Sequence, residues 1–188
     1  MPVTSSDIIT LPITNTIRTE ARRVALLKYP NFGDTFELRN PPQRLRKIYI
    51  GDMAKLATKI WLESNGKRVT NWDDVRTDNW LSNDKPYDLL VDNKKIEMRS
   101  SIETASIAYL LRSRNIIQPA YAAINDITIQ AYWNKDDYDE VKLIAWVKKR
   151  HLENAPVVRM ASLNNQDFYL LPFSDTHAKT MNQLLTYL

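Results

Sequence analysis

Pro86-Tyr87-Asp88-Leu89-Leu90-Val91-Asp92-Asn93-Lys94-Lys95-Ile96-Glu97-Met98-Arg99-Ser100-Ser101 is the stretch whose reading decides the fold. Two short strand-like runs flank Asp92-Asn93, and both of those residue types tolerate positive φ. The segment therefore reads as two antiparallel strands joined by a two-residue turn. In that register Val91 pairs with Lys94, and Asp88 falls opposite Glu97. Residues directly opposite project from one face with Cβ atoms ~5 Å apart. Arg99, two positions beyond Glu97, joins the same face because side chains alternate along a strand. One face of the hairpin thus carries two carboxylates and a cation.

Two carboxylates so close repel each other unless a cation offsets their charge. A divalent metal does this, with the Met98 backbone carbonyl as a third oxygen ligand. Such a site activates a water and neutralises charge developing on a phosphodiester. Composition narrows the metal further. The 188 residues include no cysteine and two isolated histidines, His151 and His177, which excludes thiolate zinc, iron–sulfur clusters, disulfides and histidine clusters. A metal here is held by oxygen, as Mg²⁺, Mn²⁺ and Ca²⁺ are.

The chain is 44% apolar and 26% charged, close to an average soluble globular protein, and its length favours one domain with a modest N-terminal extension. The first residues lack a basic segment followed by an apolar one, and no apolar run approaches the ~20 residues that cross a bilayer. A cytoplasmic protein with no membrane partner is the expectation. The net charge of +4 permits nucleic-acid binding without establishing it.

Outward from the hairpin, residues 1–13 read as a loose arm, and Asn15–Lys28 as a helix with Arg18, Arg22 and Arg23 off its apolar face. Pro30 ends it, and a loop containing Asn40-Pro41-Pro42 follows. Residues 42–65 form the strongest helix pattern, with Leu45, Ile48, Met53, Leu56, Ile60 and Trp61 as its stripe and Asn65-Gly66 as its stop. Residues 67–85 are polar and read as loop with short extended pieces. Further strands are predicted at 127–133, 141–147 and 168–173, with a helix at 104–115 and another at 178–188. A mixed sheet in an α/β or α+β domain follows. The five tryptophans read as core or loop anchors, and Lys148-Lys149-Arg150 as a solvated strand end.

The hairpin resembles the PD-(D/E)XK nuclease superfamily, in which an aspartate begins one strand and an acidic-x-lysine triplet sits on the next. Asp88 and Glu97 match the metal-binding carboxylates, Pro86 matches the proline one place removed, and Ser100-Ser101 resemble the serines that often follow the lysine. Upstream, Gly51-Asp52-Met53-Ala54-Lys55-Leu56-Ala57, continuing to Trp61-Leu62 and Gly66, is similar to the helix that precedes the hairpin. The resemblance spans about residues 45–150. It implies a restriction-endonuclease-like mixed central sheet flanked by helices over residues 41–188. Residues 1–40 would form an arm and basic helix for dimer or DNA contact.

Two positions depart from the pattern. Arg99 stands where the lysine belongs, and an arginine stays protonated, so it holds a phosphate rather than acting as a base. Counting back from Gly66, Lys55 stands where many relatives carry a glutamate, with Asp52 one turn earlier on the same helix face. Asp52 is then a candidate third carboxylate, and Lys55 or Lys59 a candidate for the missing amine. The alternative is a degenerate site that no longer cuts.

What the resemblance implies is a Mg²⁺-dependent DNA endonuclease of restriction or repair type, with Mn²⁺ as a substitute and a homodimer as its working form. Asp88, Glu97, Arg99, Asp52 and Lys55 are the expected catalytic set. Ser100, Ser101, Lys59, Arg112 and Arg114 are the candidate DNA contacts, the last two competing with a plain solvated helix face. The second expectation is an inactive nuclease-like module that binds DNA or a protein.

Overall fold

A computed structural model describes residues 2–30, 41–80, 85–102, 106–120, 124–134, 138–160 and 165–188. Asn40, residues 81–84 of the expected loop and Thr104 at the expected helix start lie outside the described residues. After a 3₁₀ turn at Ser5–Asp7 come strand β1 (Ile9–Pro12) and helices α1 (Asn15–Lys28) and α2 (Pro41–Ser64). Strand β2 (Val69–Asn71), the short helix α3 (Trp72–Val75) and strands β3 (Leu89–Val91) and β4 (Lys94–Ile102) follow. The chain then forms α4 (Ile107–Ser113), β5 (Asn115–Pro119), β6 (Ile127–Trp133) and β7 (Glu140–Lys148). It ends with α5 (Lys149–Leu152), β8 (Val157–Met160), β9 (Gln166–Pro172) and α6 (Met181–Tyr187).

These elements make a mixed α/β architecture. The main sheet has six strands in the order β1-β7-β6-β4-β3-β2. Its neighbours are antiparallel except β4 and β6, which run parallel and are connected through α4 and β5. A second, antiparallel sheet has the order β5-β9-β8. β6 is central and all seven of its residues are buried, as expected of a strand covered on both faces. Ile127, Ile129, Ala131 and Trp133 join the core formed with α1, α2 and α6. Tyr132, with Ile144 and Val147 of β7, meets Ile116 and Leu171 of the second sheet and Leu110 of α4 in a separate core.

The hairpin turn forms as its residues dictate. Val91 pairs with Lys94, and Asp92 and Asn93 both take positive φ, 47° and 64°. The boundaries of the two long helices also follow local chemistry. The Thr14 hydroxyl accepts the Ile17 N–H at 3.3 Å and caps α1. At the end of α2, Gly66 sits at φ +76°, Lys67 N–H reaches the Leu62 carbonyl and Gly66 N–H that of Glu63. That pair of bonds is the Schellman stop, which needs a residue free to adopt a left-handed conformation.

Several expectations need correction. Residues 1–13 are not loose: Ile9–Pro12 pairs with β7 as an edge strand, and Val3, Leu11 and Ile13 are buried. α2 rests on only part of its stripe, with Met53 fully buried and Leu56 and Trp61 packed partly buried against the core. Ile60 is 49% exposed, while Ile50, Met53, Ala54, Ala57 and Leu62 face the core; the two alanines leave room for the helix to lie close to the sheet. The helix expected over 104–115 ends at Ser113, because the β-branched pair Ile116-Ile117 is drawn into pairing with β9. The final helix begins at Met181 rather than 178. Thr180 and Gln183 close a capping box there, and Lys179 instead bridges Trp146. No helix among the described residues is long and apolar enough to cross a membrane.

Because the turn demands left-handed backbone at Asn93, a β-branched residue there is strained. Asn93→Val is expected to lower stability by roughly 1–2 kcal/mol, and Asn93→Gly to leave it unchanged or slightly raised. Urea unfolding reads both, and an unaltered midpoint in Asn93→Val counts against this turn.

Candidate active site

The ladder between β3 and β4 stops at Leu89 and Ile96. Asp88 lies one residue before β3, so it does not pair with Glu97 as the register alone predicts. Its N–H donates to the Ile96 carbonyl at 3.0 Å, and its own carbonyl accepts the Trp72 N–H at 3.1 Å. The two carboxylates converge nonetheless. Lys85 Nζ is 2.6 Å from Asp88 Oδ1 and 3.4 Å from Glu97 Oε1. Asp88 Oδ2 accepts the Met98 N–H at 2.8 Å.

Arg99 stands on the Glu97 side. Its Nη2 is 3.1 Å from Glu97 Oε1, and its Nε donates to Gln118 Oε1 at 3.1 Å. Asn125 Nδ2 donates to the other oxygen, Glu97 Oε2, at 3.1 Å. Both carboxylates are buried, Asp88 at 7% and Glu97 at 5% exposure. Ordinary solvated hairpin acids are not so covered or so fully bonded. The second sheet contributes Gln118 from β5, and Ser100 and Ser101 lie half-buried on β4 beside Ala131 and Tyr132 of β6.

A second charged cluster lies against α2. Asp52 Oδ1 is 2.5 Å from Lys28 Nζ and 3.2 Å from Lys55 Nζ. Asp73 of α3 accepts from Lys28 at 2.7 Å and from Lys55 in a very short bond, with Arg76 at 3.7 Å. Asp52 and Lys55 are therefore held chiefly by Lys28 and Asp73, and neither has a hydrogen bond to Asp88 or Glu97. Lys59 faces Glu63 and Asp74 instead. On α4, Arg112 bonds its own helix at the Ala108 carbonyl, and Arg114 lies 5.4 Å from the Tyr109 ring centre.

Sequence reasoning missed Lys85, Asp73, Gln118 and Asn125. Asp73 and Lys85 lie in the stretch read as polar loop, and Gln118 lies on β5, just beyond the helix expected over 104–115 and assigned to no element. Asp73, Gln118 and Asn125 reach the site through tertiary packing, which no spacing marks, whereas Lys85 lies three residues before Asp88. A cleft of about 180 Å³ joins the two clusters, lined by Asp52, Asp73, Lys85, Asp88 and Met98 among others.

Charge pairing sets the titration of these groups. Burial works against the Asp88 charge, but Lys85 and Lys55, with the bonds from Lys85 and the Met98 amide, hold its pKa down to about 2. Burial likewise opposes the Lys85 charge, and Asp88 and Glu97 outweigh it and raise the pKa above the usual lysine value. Lys55 is raised in the same way, burial being overcome by Asp52, Asp73 and Asp88. At Lys28 burial wins: Asp52 and Asp73 offset only part of it, the Lys55 charge adds to it, and the pKa falls.

The donor set suits a hard cation. Asp88 and Glu97 offer carboxylate oxygens. A strand residue turns its N–H and C=O toward the same neighbour, so Met98, whose N–H meets Asp88, presents its carbonyl to that side as well. Asp52 Oδ2, buried at the same cleft, has no hydrogen-bond partner among the described residues. Among those residues no three Asp, Glu or His side chains converge as a metal-ligand group. Asp52 thus does not complete a three-carboxylate site, because Lys28 and Lys55 hold it on the helix side.

No protein-family model matches the chain, and no curated protein or solved structure matches it.

The depressed Asp88 pKa has a stability consequence. A carboxylate with a lower pKa folded than unfolded adds stability that is full above its unfolded pKa and lost as the pH falls through its folded one. With 3.8 as the reference and about 2 in the fold, the contribution is about 2 kcal/mol, lost between about pH 5 and pH 1. Urea unfolding across that range is expected to show a flatter pH dependence in Asp88→Asn by about this amount. Parallel curves would mean that Asp88 is not ion-paired.

Proposed function

We propose that this protein is a metal-dependent endonuclease hydrolysing phosphodiester bonds in DNA, of the restriction or repair type, built on a restriction-endonuclease-like PD-(D/E)XK core. The single observation that carries the reading is the convergence of two buried carboxylates on one cation, Lys85 Nζ, with Arg99 alongside. The chain order supports it: a long helix ending at a glycine stop, an aspartate opening one strand and Glu-x-Arg on the next, within a mixed sheet.

Asp88, Glu97 and the Met98 carbonyl would hold Mg²⁺, or Mn²⁺ in its place, in an all-oxygen set. The bound ion would lower the pKa of a water and offset charge on the phosphate. Arg99, held between Glu97 and Gln118, would hold the scissile phosphate, since its guanidinium stays charged throughout. Asn125 and the Met98 amide orient the two carboxylates. Lys55 supports the site from the helix through the charge it places beside Asp88, and Asp52 supports it by holding Lys55. Ser100, Ser101, Lys59, Arg112 and Arg114 are the DNA contacts in this reading. Cutting both strands calls for a two-fold dimer, and α1, with Leu26 and Leu27 exposed, is the face offered for it.

Two observations favour a second reading, a nuclease-like module that binds without cutting. Position 99 is an arginine, and each carboxylate of the site already has an internal cation partner.

Plasmid incubated with the protein in Mg²⁺, Mn²⁺ or EDTA separates the two. Metal-dependent nicking that Asp88→Ala and Glu97→Ala each reduce at least about a hundredfold is the expected result. DNA binding without cutting on any substrate favours the second reading. Arg99→Lys is expected to keep or raise cleavage, and Arg99→Ala to abolish it; equal rates in all three remove Arg99 from the chemistry.

A further inference from the structure

We infer that Lys85 is a resident counter-ion of the two-carboxylate site, and that a divalent cation enters only by displacing it. The inference rests on the metal-binding reading of Asp88 and Glu97 and adds a form of regulation to that site.

The geometry is that of an occupied cation position. Lys85 Nζ bonds Asp88 Oδ1 at 2.6 Å and approaches Glu97 Oε1 at 3.4 Å, so one ammonium spans both acids. Arg99 reaches only Glu97 of the pair. A Mg²⁺ ion needs oxygens at about 2.0–2.1 Å in near-octahedral order. It cannot share those two oxygens with an ammonium nitrogen, both for lack of space and because like charges repel.

Lys85 is also placed so that it can leave. It belongs to no helix or strand, its side chain is 37% exposed, and the carboxylates it serves are anchored independently. Asp88 keeps its bond from the Met98 amide, and Glu97 keeps Asn125 on its other oxygen, Oε2, when the ammonium withdraws. The four-carbon stem of a lysine lets its charge swing to water at small cost. Asp52 and Asp73 differ in this respect, since the lysines that pair them are buried along with them.

A ligand whose competent state is only partly populated binds with an affinity reduced by that fraction. The ammonium therefore sets the metal concentration at which the site fills, while keeping two buried acids paired when no metal is bound.

Mn²⁺ binding to the intact protein, read by the electron paramagnetic resonance of the free ion, tests this without an activity assay. Lys85→Met is expected to bind Mn²⁺ roughly tenfold more tightly than the wild type, and Lys85→Arg to stay near the wild type. Lys85→Gln, which keeps donors for both acids, is expected to behave as Lys85→Met and covers the case in which methionine does not fold. In the wild type the Lys85 side-chain ammonium resonance is expected to move toward that of a solvated lysine, with the same Mg²⁺ midpoint as binding. Equal affinity in wild type and Lys85→Gln, or a Lys85 resonance that Mg²⁺ does not move, overturns displacement and leaves the metal site standing. Absence of Mn²⁺ binding from wild type and both neutral variants overturns the metal reading and this inference together.

Discussion

Burying carboxylates is the constraint on which the rest of this structure depends. Asp52, Asp73, Asp88 and Glu97 lie at one end of the main sheet with their side chains almost wholly covered. An ionised group taken out of water costs several kcal/mol unless a partner compensates it. Each partner is drawn from a different part of the chain: Lys28 from the end of α1, Lys55 from the middle of α2, Lys85 from the segment before β3, and Arg99 from β4. Removing one member of such a buried pair typically costs about 3–5 kcal/mol, because the other is left uncompensated. The network therefore ties the first helix, the long helix and the hairpin into one geometry.

The second sheet gives that geometry a wall. β5 presents Gln118 to Arg99, and Gln118, Thr128 and Gln130 are buried between the sheets. A polar layer in such a place carries little hydrophobic stabilisation, and it holds the guanidinium in one orientation instead. The two clusters of charge also differ in character. The helix cluster of Lys28, Asp52, Lys55 and Asp73 is closed, every charge being covered by its neighbours. The hairpin cluster opens through Lys85, its most exposed cation, which is why the proposed cation site lies there.

Much of this was legible in the sequence wherever the interaction is local. The Asp92-Asn93 turn, the Thr14 cap and the Gly66 stop each depend on residues within a few positions, and the elements they bound appear where the pattern puts them. Elements set by distant partners were not legible. β1 exists because β7 offers an edge, and β5 because β9 does. The site divides in the same way. Glu97 and Arg99 share a face through strand alternation, which is local, whereas Lys85 and Asn125 reach Glu97 through folding. Asp88 falls between these cases: its place on the hairpin follows from the turn, but its backbone turns to Ile96, and only its side chain meets the acid pair. Asp52 and Lys55 share a helix face as their spacing requires, and Lys28, 24 residues before Asp52 by no readable pattern, decides that Asp52 stays on the helix side.

Anomalous diffraction from Mn²⁺-soaked crystals tests the central claim most directly, that Asp88 and Glu97 are a cation site. The account predicts one strong peak bonded by both carboxylates and the Met98 carbonyl, with the Lys85 ammonium moved away from Asp88. Manganese at Asp52 and Asp73, or no peak near the hairpin while Lys85 still spans the two acids, would contradict it.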